Sequence, residues 1–291
     1  MKNKYLVPFI LVTILFFLWG FAHNLNPILI PHLKKACQLT DFESALIDSA
    51  FFVAYFVMAI PAGLVMKKYG YKIGIILGLL IFASGAFLFI PAANYRIFEF
   101  FLLALFVIAS GLTFLETAAN PYITVLGDPK DASQRLNFAQ SFNGLAATIA
   151  PLLGGIFILS GKSLTTAQEA LMTSEQINSF LDQEAAAVKI PYFIIGIVVL
   201  AVALLLYKSH LPEITEDAHE IDLSSSDQSI WRHKHLIWGV ITQFFYVGAQ
   251  VCVSSFFIRY LFKTEGIGEK TGANYLAFAL FCFMIDRKSV V

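Results

Sequence analysis

The sequence predicts an all-α membrane protein, and two observations predict it: the composition and the spacing of the apolar runs. Of the 291 residues, 58% are hydrophobic and 14% are charged, with 29 phenylalanines and a mean hydropathy of +0.72. Soluble domains are nearer half apolar and one quarter charged. Twenty basic and twenty acidic residues cancel, so no net charge indicates nucleic acid as a partner.

Eight apolar runs predict helices that cross the bilayer, a task that needs about twenty apolar residues. The predicted spans are 5–31, 45–66, 72–91, 98–126, 136–160, 188–207, 235–262 and a short last one at 272–285. The first run is too long for a signal peptide and lacks a small-residue cleavage site, so we interpret it as a retained span.

The hydrophilic connections divide the chain into predicted domains. Residues 1–207 form an N-terminal six-helix half, 208–234 a cytoplasmic linker, and 235–291 the first helices of a second half. Residues 161–187 are predicted to contain a short external helix. Slightly more Lys and Arg fall on one side of the membrane, chiefly in the tight KKYGYK turn at 67–72. The positive-inside rule therefore predicts a cytoplasmic N-terminus.

A carboxylate lies in the fourth predicted span, within GLTFLETAANPYITVLG at 111–127. A charged side chain at the bilayer centre costs roughly 2.5–3.5 kcal/mol on insertion scales, so such residues usually face the bundle interior. Glu116 and Asn120 are four apart and share one helix face, and we include Asn120 among the candidate substrate-binding residues. No Lys or Arg lies well inside the first six spans, and desolvation then favours the neutral carboxyl. We interpret Glu116 as a proton carrier; the alternative is a protonated Glu that only hydrogen-bonds a neighbouring helix.

An Asn-Pro pair occurs in both the first and the fourth spans. Pro121 removes a backbone donor, which predicts a helix break beside a water-accessible cavity. Asn26-Pro27 in the first span matches Asn120-Pro121, and these two spans begin on opposite sides of the membrane. Such matching is typical of an inverted three-plus-three repeat with a binding site near the midplane.

Further polar side chains recur at helical spacing inside the spans. Asn24 and Asn26 are predicted hydrogen-bond partners for a polyhydroxylated solute, whereas His23 is either a proton carrier or a packing residue. Gln140 and Asn143 are three apart in the fifth span, and they predict either sugar binding or hydrogen bonding between helices.

Four more polar positions lie in the second and seventh spans. Tyr246 and Gln250 continue a polar stripe that begins at Gln243 in the seventh span. We include Tyr246 and Gln250 among the candidate substrate-binding residues. Asp48 is placed in the first turn of the second span, where a carboxylate complements the helix dipole, and is interpreted as structural.

The sequence shows no phosphate-binding glycine loop, no metal motif and no nucleophile with a base. It therefore predicts a protein that is not an enzyme and needs no cofactor.

Several stretches resemble the fucose/glucose/galactose:proton symporter family of the major facilitator superfamily. The resemblance covers about residues 10–285 and is densest in FFLWGFAHNLNPILIPHLKKA, AIPAGLVMKKYGYKIGI, ASGLTFLETAANPYITVLG, RLNFAQSFNGL and QFFYVGAQ. It implies a major facilitator fold of twelve helices in two halves, a central sugar cavity and alternating access. It also implies proton coupling at Glu116 and places Gln140 and Asn143 in the sugar-cavity region.

Two departures from the family pattern bear on function. Lys67 stands where an acidic residue is usual in the loop between spans two and three. Pro27 stands where fucose-type members carry an acid, which leaves Glu116 as the main candidate carboxyl of this half and favours a glucose/galactose-type hexose over fucose. The resemblance also implies a longer chain. We therefore expect a C-terminal truncation, with residues 286–291 an assembly artefact.

Together these observations predict a multi-pass protein of a bacterial cytoplasmic membrane, monomeric, with a sugar, a proton and lipid as its partners. The proton would be the coupling ion. Two alternatives remain open at this point: a membrane sugar sensor or assembly protein that does not transport, and a transporter of another small solute.

Overall fold

The computed structural model describes residues 5–161, 171–209, 211 and 233–289. The described helices are α1 Leu6–Asn24, α2 Asn26–Ala36, α3 Asp41–Tyr69, α4 Tyr71–Tyr95, α5 Phe98–Val125, α6 Ala132–Phe157, α7 Ser174–Ala186, α8 Lys189–Lys208, α9 Lys234–Glu265 and α10 Glu269–Ser289. A short 3-10 turn, Pro129–Asp131, precedes α6. The described residues contain no strand, which confirms the predicted all-α class.

Six of these helical segments are long and apolar enough to cross a membrane: Leu6–Ala36, Asp41–Tyr69, Tyr71–Tyr95, Phe98–Val125, Ser174–Lys208 and Lys234–Glu265. They correspond to six of the eight predicted spans. The other two, α6 and α10, have the predicted positions but are more polar. Helix α6 has 26 residues, enough to span a bilayer core at 1.5 Å per residue.

The predicted linker at 208–234 lies almost entirely outside the described residues, as do residues 290–291 and the side chains of 286–289. Within 161–187, the predicted short helix is confirmed as α7. Its N-terminus is a capping box, because the Thr173 side chain accepts from the Gln176 backbone and the Gln176 side chain accepts from the Thr173 N–H. This reciprocal bonding satisfies two donors that the first turn would leave unpaired.

The first span is interrupted between α1 and α2 at Leu25. Pro27 has no N–H to donate one turn back, yet Leu25 stays in the right-handed helical region. Its N–H bonds the Phe21 carbonyl at 3.2 Å, and the Ile28 N–H bonds the Leu25 carbonyl at 3.0 Å. The helix is therefore only locally tightened at Leu25, where the Ile28 N–H bonds a carbonyl three residues back. The span continues as one 31-residue segment.

Helix α5 runs through Pro121 to Val125, so the predicted break in the fourth span is wrong. Two side chains bond backbone carbonyls in the turns next to the proline. The Asn120 amide donates to the Glu116 carbonyl at 3.1 Å, and the Thr124 hydroxyl donates to the Pro121 carbonyl at 2.7 Å. Proline has a helical φ and removes a single donor, the one that would bond the Thr117 carbonyl, so the helix continues through it.

Helix α3 begins at Asp41, four residues before the predicted span. A capping box fixes this start: Thr40 Oγ1 accepts from the Glu43 N–H at 3.2 Å, and the Glu43 carboxylate accepts from the Thr40 N–H at 2.8 Å. Asp48 therefore lies in the second turn of α3. Its predicted role at the helix N-terminus is wrong, because the capping residues occupy that place.

Close backbone approach holds the centre of the bundle together. A Cβ on Gly111 of α5 would lie 2.5 Å from the Gly78 carbonyl oxygen of α4, so only glycine allows this contact. Small residues at such crossings let membrane helices pack by van der Waals contact. Around this pair, α3 packs on α5, α8 on α4, α1 on α6, and α10 on α6.

Helix α9 reaches the other helices through its C-terminal part. Arg259 donates to Ser44 Oγ at 2.8 Å and to the Asp41 carboxylate, while Lys34 forms a second ion pair with Asp41 at 2.5 Å. These contacts join α9 to the beginning of α3.

Candidate functional site

A cavity of about 900 Å³ lies between α1, α2, α3, α5, α6, α9 and α10. This volume is within the usual range of small-molecule sites. Its polar and aromatic wall comprises Trp19, His23, Asn24, Asn26, Asp48, Phe51, Phe52, Glu116, Gln134, Asn137, Phe138, Gln140, Ser141, Asn143, Gln250, Ser254, Ser255 and Phe283. The cavity thus brings together amides, two carboxylates and aromatic rings from separate helices.

Six of the eight predicted site residues line this cavity: Glu116, Asn24, Asn26, Gln140, Asn143 and Gln250. The other two, Asn120 and Tyr246, are not on its described wall. Tyr246 is 47% exposed on α9. Asn120 stands behind the wall instead, because its Oδ1 accepts a hydrogen bond from Gln140 Nε2 at 3.2 Å. It supports Gln140 and does not face the cavity itself.

Glu116 projects from the middle of α5 and is only partly accessible. Among the residues that the structure describes, its carboxyl forms no ion pair with Lys or Arg; the ion pairs there involve Lys34, Lys35, Arg96 and Arg259. Its neighbour Tyr55 is close enough for an electrostatic interaction, and the Tyr55 hydroxyl accepts from the Trp19 indole at 3.0 Å. A carboxyl in this setting has no cation to hold it in the ionised form.

The amides present different atoms to the cavity. Asn24 Nδ2 donates to the Gly20 carbonyl at 2.7 Å, so its oxygen remains the group available to a ligand. Asn143 is seated against Gly20, where a Cβ would lie 2.9 Å from Asn143 Cγ. The absence of a side chain at Gly20 therefore makes room for Asn143 beside α1.

His23 lies in an aromatic cluster on the cavity wall. Its ring makes edge contacts with Phe51 and Phe52 at centroid distances of 5.4 and 5.8 Å, and with Tyr55 at 6.3 Å. The structure thus places His23 both at the cavity and in aromatic packing. It leaves both interpretations of this residue in place.

Several wall residues were not among those predicted from the sequence, and Asp48 changes the chemistry of the cavity most. Asn26 Nδ2 donates to Asp48 Oδ1 at 2.7 Å, and Ser255 of α9 lies beside the same carboxyl. Glu116 is consequently accompanied by a second cavity carboxyl in this half. The capping box at Thr40 and Glu43 was the signal that could have placed Asp48 one turn deeper.

Gln134 and Asn137 were also missed. They precede Gln140, Ser141 and Gly144 at intervals of three and four along α6, a spacing that puts all of them on one helix face. The predicted span began at 136, so this polar stripe was only partly inside it. In the described part of the chain, no cluster of His, Cys, Asp and Glu residues could hold a metal ion.

One buried cation organises the end of α5 next to the site. Arg135 is 6% exposed and donates to the carbonyls of Ile123, Thr124 and Asp128 at 3.3, 2.6 and 2.9 Å. A cation at a helix C-terminus is favoured by the helix dipole. Arg135 therefore joins the start of α6 to the end of α5, the two helices that carry Gln140 and Glu116.

The chain matches a known protein family over almost its whole length. The family model described as Major Facilitator Superfamily matches residues 9–285. The L-fucose-proton symporter of Escherichia coli (strain K12) is 44% identical over 293 residues, which cover 98% of this chain and 67% of that protein. A glucose/galactose transporter of Brucella abortus biovar 1 (strain 9-941) is 41% identical over 278 residues, covering 95% of this chain and 64% of that protein.

Solved structures agree with this result. The crystal structure of the major facilitator transporter FucP in the outward conformation is 43% identical, with a TM-score of 0.77 over 99% of this chain and 71% of that one. A bacterial homologue of the lysosomal transporter Spinster is 17% identical with a TM-score of 0.72, a likeness of fold alone. The chain spans about two thirds of the length of these sugar-transporter relatives. It belongs to the Major Facilitator Superfamily, and its resemblance to the fucose/glucose/galactose:proton symporter family is confirmed.

Proposed function

We propose that this protein carries a hexose across the bacterial cytoplasmic membrane together with a proton, by alternating access. The observation that carries the proposal is the shared cavity of Glu116, Asn24, Gln140 and Asn143. The names of the relatives support it, since they describe an L-fucose-proton symporter and glucose/galactose transporters. The protein would be multi-pass and monomeric, with a cytoplasmic N-terminus.

The wall chemistry suits a monosaccharide. Amide groups accept from and donate to hydroxyls, while aromatic faces such as those of Trp19 and Phe138 pack on the apolar faces of a pyranose ring. A few well-placed polar groups in a largely apolar cavity are the usual design of a small-molecule site. Departure from the fucose-type pattern at Pro27 favours a glucose- or galactose-type substrate.

Glu116 would supply the coupling. When the cavity is closed, the low-dielectric surroundings favour the protonated carboxyl, and when it opens to water the ionised form becomes accessible. Because the described residues provide no ion-pair partner for Glu116, its charge state depends on that exposure. A carboxyl of this kind can take up a proton on one side of the membrane and release it on the other.

Uptake by cells expressing the complete gene tests this function. We expect labelled glucose or galactose to accumulate above the external concentration under an inward proton gradient, and we expect an uncoupler to abolish the accumulation. Insensitivity to the uncoupler would reject proton symport. Sugar binding without any sugar movement would instead support a sensor that does not transport.

A matched pair of variants on α5 makes the test specific. Glu116→Gln removes the cavity carboxyl, whereas Glu99→Gln removes an exposed carboxyl in the first turn of the same helix. We expect the first to lose accumulation and the second to retain it. Equal losses in both variants would assign the effect to general damage of α5.

A further inference from the structure

Three helices meet at Asp48 on the cavity wall. Asn26 belongs to α2, Asp48 to α3 and Ser255 to α9. Asp48 Oδ1 accepts a hydrogen bond from Asn26 Nδ2 at 2.7 Å, and Ser255 lies beside the same carboxyl. The ion pairs of the described residues do not include Asp48; Arg259 on α9 is bonded instead to Asp41 and Ser44. The Asp48 carboxyl is therefore held by polar neighbours and not by a cation.

The Asp48 carboxylate fixes the orientation of the Asn26 amide. Asp48 Oδ1 accepts the hydrogen bond from Asn26 Nδ2, so the amide turns its nitrogen toward Asp48 and its oxygen away from it. Asn26 is 4% exposed, and its Oδ1 has no hydrogen-bond partner among the described residues. A buried carbonyl oxygen without a donor is costly. This orphan oxygen belongs to a residue of the cavity wall but has almost no exposed surface, so a ligand donor reaches it only when the Asn26 side chain shifts.

The two residues together form a site that accepts hydrogen bonds. Asn26 Oδ1 lacks a donor, and the Asp48 carboxylate has lone pairs beyond the one used by Asn26, because two oxygens offer about four acceptor positions. Hydroxyl groups are donors that can serve both. Adjacent hydroxyls on a sugar ring can donate to two acceptors held side by side, as the 2.7 Å contact between Asn26 and Asp48 holds these.

We propose that Asn26 and Asp48 form a hydroxyl-binding subsite of the cavity, which recognises an adjacent pair of hydroxyls on the substrate sugar and thereby sets specificity. This proposal rests on the proposed function and assigns Asp48 a role that its position along α3 alone does not reveal. A substrate that lacks one of these hydroxyls leaves a buried acceptor unpaired. Sites built to bond a substrate hydroxyl discriminate strongly against analogues without it.

Binding of deoxy sugars to the product of the complete gene, purified in detergent, tests the subsite. The probes are the preferred hexose, glucose or galactose, and its 2-, 3-, 4- and 6-deoxy analogues. For at least one analogue we expect an affinity about tenfold or more below that of the parent sugar, because a hydrogen bond to a charged acceptor is lost. In Asp48→Asn we expect that particular difference to shrink to about threefold or less, while discrimination against the other analogues is retained.

Asn26→Ala is the second variant, and it is expected to reduce discrimination against the same analogue or against the one that lacks the adjacent hydroxyl. It also keeps the test decisive if Asp48→Asn does not fold. Asp182→Asn is the control, because this exposed carboxylate on α7 pairs with Arg96 outside the cavity. All analogue ratios should be unchanged in it.

The outcomes separate the subsite from the proposed function. If the wild type transports hexose but both cavity variants keep every analogue ratio while weakening all sugars equally, the two residues are structural and the subsite is rejected. If the wild type binds none of the hexoses, the proposed sugar function fails and the subsite fails with it. The proposal is supported if both cavity variants lose the discrimination against that one deoxy analogue while all affinity ratios in Asp182→Asn stay unchanged.

Discussion

Gln140 on α6 donates its amide hydrogen to Asn120 on α5 across 3.2 Å, and Asn120 in turn donates to the backbone carbonyl of Glu116 at 3.1 Å. One side chain thus connects the cavity amide with the helical turn that carries the cavity carboxyl. Asn120 does not line the described cavity wall, yet it determines how Gln140 is presented there. A positioning residue of this kind has a distinct experimental signature.

Asn120→Ala should weaken sugar binding about three- to tenfold, because Gln140 loses one neutral hydrogen bond that orients it. In a variant that already carries Gln140→Ala, the same change should have little further effect. Equilibrium binding of the labelled hexose measures both. Thr117→Ala is the control, since that hydroxyl bonds only the Thr113 carbonyl of its own helix. Full additivity of Asn120→Ala and Gln140→Ala would contradict the positioning role.

Trp19 lines the cavity and donates to Tyr55 at 3.0 Å, so it should report substrate binding by fluorescence. A sugar that packs on the indole displaces water from it and should change its emission. We expect a saturable change in the wild type, its loss in Trp19→Phe, and its retention in Trp238→Phe, where the indole is 67% exposed on α9. A signal that persists without Trp19 would place the sugar elsewhere.

Gly20→Ala should impair both packing and binding, because the new Cβ would lie 2.9 Å from Asn143 Cγ and from the Asn143 carbonyl oxygen. Overpacking of this kind typically costs about 1–3 kcal/mol. We expect a lower thermal unfolding temperature in detergent and weaker sugar binding.

Gly63→Ala on α3 is the matched control for this change, since nothing lies within 4 Å of its added Cβ. In a helix interior, alanine is favoured over glycine by about 0.8–1.0 kcal/mol. The control should therefore be neutral or stabilising. A Gly20→Ala protein as stable and as tightly binding as Gly63→Ala would contradict the close approach of α1 and α6.

Arg135→Ala should destabilise the protein, because three carbonyls at and after the end of α5 lose a charged donor. Each buried acceptor left unpaired costs about 1–3 kcal/mol. Arg135→Lys should recover only part of the loss, since an ammonium group lacks the planar fork that reaches several acceptors at once. Thermal unfolding in detergent measures both.

The control variant for Arg135 is Arg96→Lys, which alters the ion pair between Arg96 and the exposed Asp182. Exposed ion pairs contribute about 0–1 kcal/mol, so this change should be nearly silent. A larger loss in Arg96→Lys than in Arg135→Ala would overturn the assignment of Arg135 as the cap of α5.

Most of the fold was predictable because apolar runs determine where helices cross a bilayer. The fourth span was predicted at 98–126 and found at Phe98–Val125. The position of Glu116 on the cavity wall was predictable for the same reason, since a carboxylate inside a span must face the interior. The family resemblance added the sugar cavity around Gln140 and Asn143.

The failures have physical causes of two kinds. Asp48 was misplaced because the start of α3 was read from hydrophobicity, whereas the capping box at Thr40 and Glu43 determines it. The helix continues through Pro121 because proline has a helical φ and removes a single donor. The place of Asn120 behind Gln140 depends on a hydrogen bond between two helices. A one-dimensional pattern gives the helix face of a residue, but the neighbour that it contacts follows from tertiary packing.

The coupling role of Glu116 is the central claim, and sugar exchange compared with sugar accumulation in Glu116→Gln tests it most directly. Glutamine keeps the size and hydrogen-bonding capacity of a protonated glutamate but cannot release a proton. In proteoliposomes containing the product of the complete gene, we expect this variant to exchange labelled for unlabelled hexose at close to the wild-type rate. We also expect it to accumulate no hexose under an imposed proton gradient. Accumulation at the wild-type level in Glu116→Gln would contradict the account.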